Sequence, residues 1–194
     1  MKLLVFALLY ALLVLGWRSW RVYRQSGQRV WLLPSNDTAQ GYVGRAFKVV
    51  MLALLVVVVW QAMDPAGFAS LGAMAGSISA TLPGVGWVLL IASLTGVLLA
   101  QAHMGLSWRI GIEEAQGTAL VTRGLFVHSR NPVFLFMRLG LLGFWLALPH
   151  AATLGVLIAG ELLMQVQVRL EEQHLLKRHG ADCARYAARV RLWL

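Results

Sequence analysis

LPGVGWVLLIASLTGVLLAQAHM, residues 82–104, holds no Asp, Glu, Lys or Arg. An α-helix needs roughly 20 apolar residues to cross a bilayer, so this stretch predicts one membrane span. It lies inside a longer uncharged run, Pro65 to Trp108, whose first half is only weakly hydrophobic. We therefore assign one span to the run, about Leu82 to Met104. Residues 66–81 are read as a non-cytoplasmic loop or interfacial segment. Outward from this span, the whole 194-residue chain is 59% hydrophobic and 13% charged. A soluble domain carries about 25% charged residues, so an ordinary soluble domain and a disordered chain are both excluded. The length allows about four to six spans. It leaves no room for a separate soluble catalytic domain. A single cysteine, Cys183, excludes an internal disulfide framework and a multi-cysteine metal site.

Of the 17 Lys and Arg residues, all but Lys2 cluster at Arg18–Lys48, Arg109–Arg138 and Arg169–Arg191, with none from Val49 to Trp108 or from Leu139 to Val168. Basic loops stay on the cytoplasmic side. Five spans put all three clusters there. The first runs from about Leu3 to Trp17 or Trp20. It lacks a small-x-small cleavage site, so it reads as an anchor rather than a signal peptide. The second runs from about Val43 to Met63 and stops at Asp64-Pro65. A fourth helix opens at Pro132, a residue suited to a first helical turn. Pro149-His150 interrupts it, and Ala151–Val168 continues. A single kinked span would export the last basic cluster. A hairpin of two short spans keeps it inside, giving five spans and a cytoplasmic C-terminus. Mirroring the hairpin about its turn sets Arg138 level with Glu161, predicting a buried contact between them. Each alone would cost about 2.5–3.5 kcal/mol near mid-bilayer. The last helix should outrun the membrane, cap at Gly180 and continue as an amphipathic piece over Ala181–Trp193. The expected fold class is all-α, a polytopic membrane protein forming a single domain. Residues 1–105 are its three-span part, and residues 106–194 hold a loop, the hairpin and a C-terminal segment.

Polar residues gather at the cytoplasmic ends of spans three to five: Gln101, His103, Glu113, Glu114, His128, Arg130, Asn131, Gln167, Arg169, Glu171, Glu172 and His174. A site there would meet a water-soluble ligand from the cytosol and a lipophilic one from the bilayer. Placement alone does not identify a reaction.

Two stretches carry a family likeness. Leu120-Val121-Thr122-Arg123-Gly124-Leu125-Phe126, followed by Arg130-Asn131-Pro132-Val133-Phe134, resembles a signature of the isoprenylcysteine carboxyl methyltransferase family. Arg169-Leu170-Glu171-Glu172-Gln173-His174-Leu175-Leu176, with Gly180 and Tyr186, is similar to that family's closing segment, and Met104–Gly111 resembles the lead-in of its prokaryotic members. The likeness spans about residues 104–191. It implies S-adenosylmethionine as methyl donor, S-adenosylhomocysteine as product, and a cofactor pocket beneath the C-terminal segment. By motif position it implies cofactor contacts at Thr118, Ala119, Leu120, Val121, Phe126, Asn131, Pro132, Val133, Phe134 and Glu171. Members that methylate prenylcysteine often carry His where this chain has Asn131, Arg where it has Gln167, and Tyr where it has Cys183.

The residue chemistry is compatible with that donor, which has a carboxylate, an amine and a ribose diol but no phosphate. Amides at the start of the Pro132 helix suit a carboxylate; the plain alternative is an ordinary helix start. Glu171 suits a ribose or an amine; the alternative is a solvated helix face. Phe126 and Phe134 suit an adenine; the alternative is interfacial aromatics. His128 stands as a cofactor contact or an ordinary loop histidine. A carboxylate acceptor needs no base, and Arg169 or Arg130 would steer it as the catalytic residues. An amine acceptor would need one, with Glu172, His174 or His128 as candidates. The expected partners are a lipophilic or prenylated substrate and the lipid bilayer. Alternatives are a phospholipid amine methyltransferase and a non-enzymatic membrane cofactor module, in which His103 would be the haem-ligand candidate. Transport finds no inverted repeat to support it. The net charge of +9 follows the topology, so no nucleic-acid partner is needed.

Overall fold

The computed structural model describes residues 1–27, 37–74, 81–108 and 119–194. Thr118, Arg109, Glu113 and Glu114 lie outside the described residues. Every regular element among the described residues is helical, apart from an isolated antiparallel bridge between Ala73 and His150. We number the helices α1 (Lys2–Ser26), α2 (Ala39–Met63), α3 (Pro65–Ser70), α4 (Leu82–Met104), α5 (Pro132–Ala147) and α6 (Ala151–Arg189). Four of them, α1, α2, α4 and α6, are long and apolar enough to cross a membrane. α5 has 16 residues, or about 24 Å at 1.5 Å per residue, short of a roughly 30 Å hydrocarbon core.

Helix ends follow local chemistry. Thr38 caps α2 by accepting from the Gly41 amide at 3.1 Å. Asp64 stops α2, and its carboxylate accepts from the Gly67 amide at 2.9 Å. With Pro65 at the first position, this starts the short helix α3 in the segment expected to be a loop or interfacial segment. His150 opens α6 with a capping box: its Nδ1 accepts from Ala152, while Thr153 Oγ1 accepts from the His150 amide. Nε2 of the same ring lies 2.9 Å from the Phe68 carbonyl, and the two rings stack at 3.9 Å. This ties α3 to the α5–α6 turn.

α4 and α5 make the most extensive helix–helix contact among the described residues. Their contact is a seam of small residues in antiparallel order: Gly86 against Gly143 and Ala147, Ser93 against Gly140, and Gly96 against the Phe136 ring. Small residues let backbones approach where the lipid supplies no hydrophobic drive. α5 and α6 also meet in antiparallel order, Leu141 on Gly160 and Arg138 Nε on Glu161 Oε2 at 2.6 Å. The expected Arg138–Glu161 contact is therefore made. It is not buried: the side chains are 29% and 32% exposed, because both stand at the rim of the two-helix contact.

α1 runs past the expected Trp17–Trp20 limit to Ser26, with Gly27 beyond it at φ +67. It contains one wide π-helical turn, Leu12–Trp17. Within that turn the Val14 carbonyl accepts from Gln101 Nε2 of α4 at 3.2 Å. Arg18 returns the contact, donating to the carbonyls of Gln101 and Gly105 at 2.7 and 3.1 Å. It thereby caps the carbonyl end of α4, where the helix dipole favours a cation.

Candidate functional site

The segment after the third span is anchored first by α4. Gly124 (φ +64) packs against the His103 ring, and His103 Nδ1 accepts the Leu125 amide at 3.2 Å. A side chain at 124 would meet that ring in a backbone conformation that favours glycine. Leu120 and Val121 approach this turn half-buried, and Ala119 is exposed. Phe126 is buried, and its carbonyl accepts from the Tyr186 hydroxyl at 2.6 Å. Burial pushes the Tyr186 phenol up to about 12, against the opposing pull of Arg130. A buried hydrogen bond of this kind contributes about 1 kcal/mol. Tyr186→Phe is expected to lower stability by about that amount, read as a fall in the thermal unfolding midpoint in detergent.

The turn then enters α5. The Asn131 amide donates to Ser129 Oγ at 3.2 Å. Asn131 and Pro132 are buried, and the Asn131 side chain makes no capping bond. The first amides of α5 are thus not taken by their own cap residue. Val133 belongs to a core cluster with Val14, Val22, Val97, Ala100 and Trp108, so its side chain is packing. Phe134 is half-buried.

The far end of α6 closes over this turn. α6 breaks at Gly180 (φ 50, ψ −121), as the sequence predicts, and the piece beyond it carries Cys183 and Tyr186 back to the turn. Arg130 Nη1 meets Glu172 Oε1 at 2.7 Å. The Arg130 amide donates to the Arg191 carbonyl at 3.0 Å, and Ser129 Oγ donates to the Leu192 carbonyl at 3.4 Å. Cys183 is buried, and burial followed by the nearby Glu172 raises its thiol pKa, which suits packing rather than nucleophilic attack. Glu171, three residues past the apolar stretch that ends at Val168, accepts from buried Gln167 at 2.8 Å. The residue is half-buried overall. Burial of its carboxyl pushes the pKa up to about 7, against the lowering pull of that hydrogen bond.

Not every expected site residue joins this assembly. Arg169 is exposed and donates back along its own helix to the Gln165 carbonyl and Oε1, at 2.7 and 2.9 Å. Two residues along a helix turn roughly 200°, so Arg169 and Glu171 face nearly opposite ways. Arg130 does sit at the assembly, where Glu172 holds it. His128 is exposed. Ser129 and the Arg191–Leu192 carbonyls were missed by sequence reasoning, since backbone acceptors leave no residue signature. A separate cavity of about 510 Å³ lies against α2, lined by Leu55, Val56, Val59, Trp60, Met63 and Asp64. It is open and apolar-walled, and none of the site residues lines it.

No protein-family model matches the chain, and no curated protein or solved structure shows significant similarity to it.

Proposed function

We propose that the chain is an S-adenosylmethionine-dependent integral membrane methyltransferase of the isoprenylcysteine carboxyl methyltransferase type. Its acceptor is lipophilic and carries a carboxylate, as prenylcysteine does. In this reading α1, α2, α4 and the α5–α6 hairpin make five crossings, with the C-terminus and cofactor site cytoplasmic. The supporting observation is the closure of residues 126–130 by residues 172–192, through Tyr186 on Phe126 and Glu172 on Arg130, with the half-buried Glu171 next to Glu172 in sequence. A buried carboxylate and an uncapped helix start form a donor and acceptor set suited to an amine and a carboxylate on one small ligand.

When bound, the donor supplies an electrophilic methyl on its sulfonium. The chain's contribution is alignment and exclusion of water. Glu171 would hold the ligand amine, the first amides of α5 its carboxylate, and Phe126 and Phe134 would be the residues to flank its ring. An ionised acceptor carboxylate would need no base, so Arg130 would serve to position it.

Titration of detergent-purified protein with S-adenosylhomocysteine in a calorimeter tests the reading. Saturable one-to-one heat is expected; no heat at millimolar ligand overturns it. A methyl-transfer screen over prenylcysteine and phosphatidylethanolamine then decides the acceptor, with ester formation on the former expected.

A further inference from the structure

The rim of the α5–α6 contact carries a second set of charges that the proposed reaction does not use. Arg138 spends its Nε on Glu161 at 2.6 Å. Glu161 Oε1 accepts from Gln165 Nε2 at 2.8 Å, and Gln165 accepts from Arg169. Residues 161, 165 and 169 are one turn apart, so they form a polar line down one side of α6. That side also exposes Ile158, Leu162 and Val166, the surface a bilayer would cover. The line therefore runs from an exposed arginine to a half-exposed ion pair along a lipid-facing surface.

Arg138 is set up to take a further ligand. Its Nη1 and Nη2 have no hydrogen-bond partner among the described residues, while Glu161 fixes the guanidinium through Nε. A terminal pair of guanidinium nitrogens matches two oxygens of a phosphate or carboxylate. Arg138, Glu161 and Arg169 together leave one positive charge, which a single phosphodiester would neutralise. Arg138 lies six residues past Pro132, about 9 Å along α5, a depth that a headgroup and a long arginine side chain bridge together. The open face is covered by a group of this chain: the Trp193 ring lies over the guanidinium at 4.3 Å. The tail is held there through its own backbone by Arg130 and Ser129.

We propose that Arg138, backed by Glu161, is a headgroup site for a phospholipid phosphodiester on the lipid-facing side of α5 and α6, and that Trp193 is its competing cover. The lipid replaces a cation–π contact with charge-assisted hydrogen bonds to the free end of the guanidinium. The proposal is independent of methyl transfer and is tested without donor.

The test is native mass spectrometry of the detergent-purified full chain, titrated with phosphatidylglycerol and with a diacylglycerol of the same acyl chains. Phosphatidylglycerol is expected to bind about tenfold tighter than the diacylglycerol, a difference of about 1.4 kcal/mol. Arg138→Lys keeps the charge on Glu161 but loses the fork, and should erase most of that preference. The double variant R138Q/E161Q keeps a neutral hydrogen-bonded pair in case the single change misfolds, and should erase it fully. Trp193→Ala should tighten phosphatidylglycerol binding about twofold to fivefold by removing the cover. Equal affinity for the two lipids in the unaltered chain overturns the proposal. So does undiminished preference in R138Q/E161Q, or unchanged or weaker binding in Trp193→Ala.

Discussion

Gly143→Val is expected to cost about 3 kcal/mol or more, read as a large drop in the detergent unfolding midpoint with loss of the α4–α5 contact. A Cβ at 143 would stand 2.9 Å from the Gly86 carbonyl, the Leu89 Cβ and the Leu90 amide. Two of those three are backbone atoms, which no rotamer change removes. From the other side, a Cβ at Gly86 would collide with the Ala147 amide and stand 2.7 Å from the Gly143 carbonyl. The helices must therefore separate, and every side chain of α5 moves with them, Arg138 included, along with the cap residue Asn131. The comparison that isolates the cause is Gly155→Val on α6. A Cβ there meets nothing within 4 Å, so only a change in helix propensity remains, about 0.3 kcal/mol in favour of Val. Equal losses at 143 and 155 would show that the seam does not hold the two helices together.

Binding of S-adenosylhomocysteine should strengthen about tenfold between pH 6 and pH 8, with the rise centred near pH 7. The sign follows from Glu171, whose carboxyl is raised to about 7 by burial. At pH 6 the group is mostly protonated and offers the ligand amine no charge; at pH 8 it is mostly ionised. Glu171→Gln should bind weakly at both values and lose the slope. The same group acts on stability in the reverse direction. The ligand-free folded chain holds a proton that the unfolded chain releases near 4.5, so this contribution is fully present below pH 4.5 and is lost as pH rises through about 7. Glu171→Gln should thus flatten the stability profile between those limits. A pH-independent affinity in the unaltered chain would remove Glu171 from the amine's environment.

Much of this architecture was legible because bilayer solvation writes itself into runs of residues. α4 occupies Leu82–Met104, the stretch read from the absence of charge. Asp64-Pro65 and Pro132 mark helix boundaries through capping and a fixed φ. Gly180 breaks α6 because its φ is positive. The Arg138–Glu161 pair followed from counting away from the turn. What stayed hidden depends on long-range contacts with no period. Gln101 reaching the Val14 carbonyl, the seam at Gly86 and Gly143, and Trp193 returning to Arg138 are set by how helices lie against each other. At the candidate site, the gathering of Arg130 and Glu172 at neighbouring helix ends was legible, but the direction of Arg169 was not. A helix position fixes a side chain's angle only once the facing helix is known, and here Gln165 of its own helix takes the guanidinium.

The wide turn in α1 shifts the phase of everything after it. An inserted helical residue rotates the downstream stretch by about 100°. Trp17 and Trp20 stay outside, each with an arginine over its ring, while Arg18 points inward to the end of α4. Removing one residue between Leu12 and Trp17 would wind the helix back to a uniform pitch. It would swing that arginine toward the outer surface of the helix bundle and bring a tryptophan toward the protein interior. The length of this short stretch, more than its composition, decides which face of the first helix is electrically coupled to the rest of the bundle.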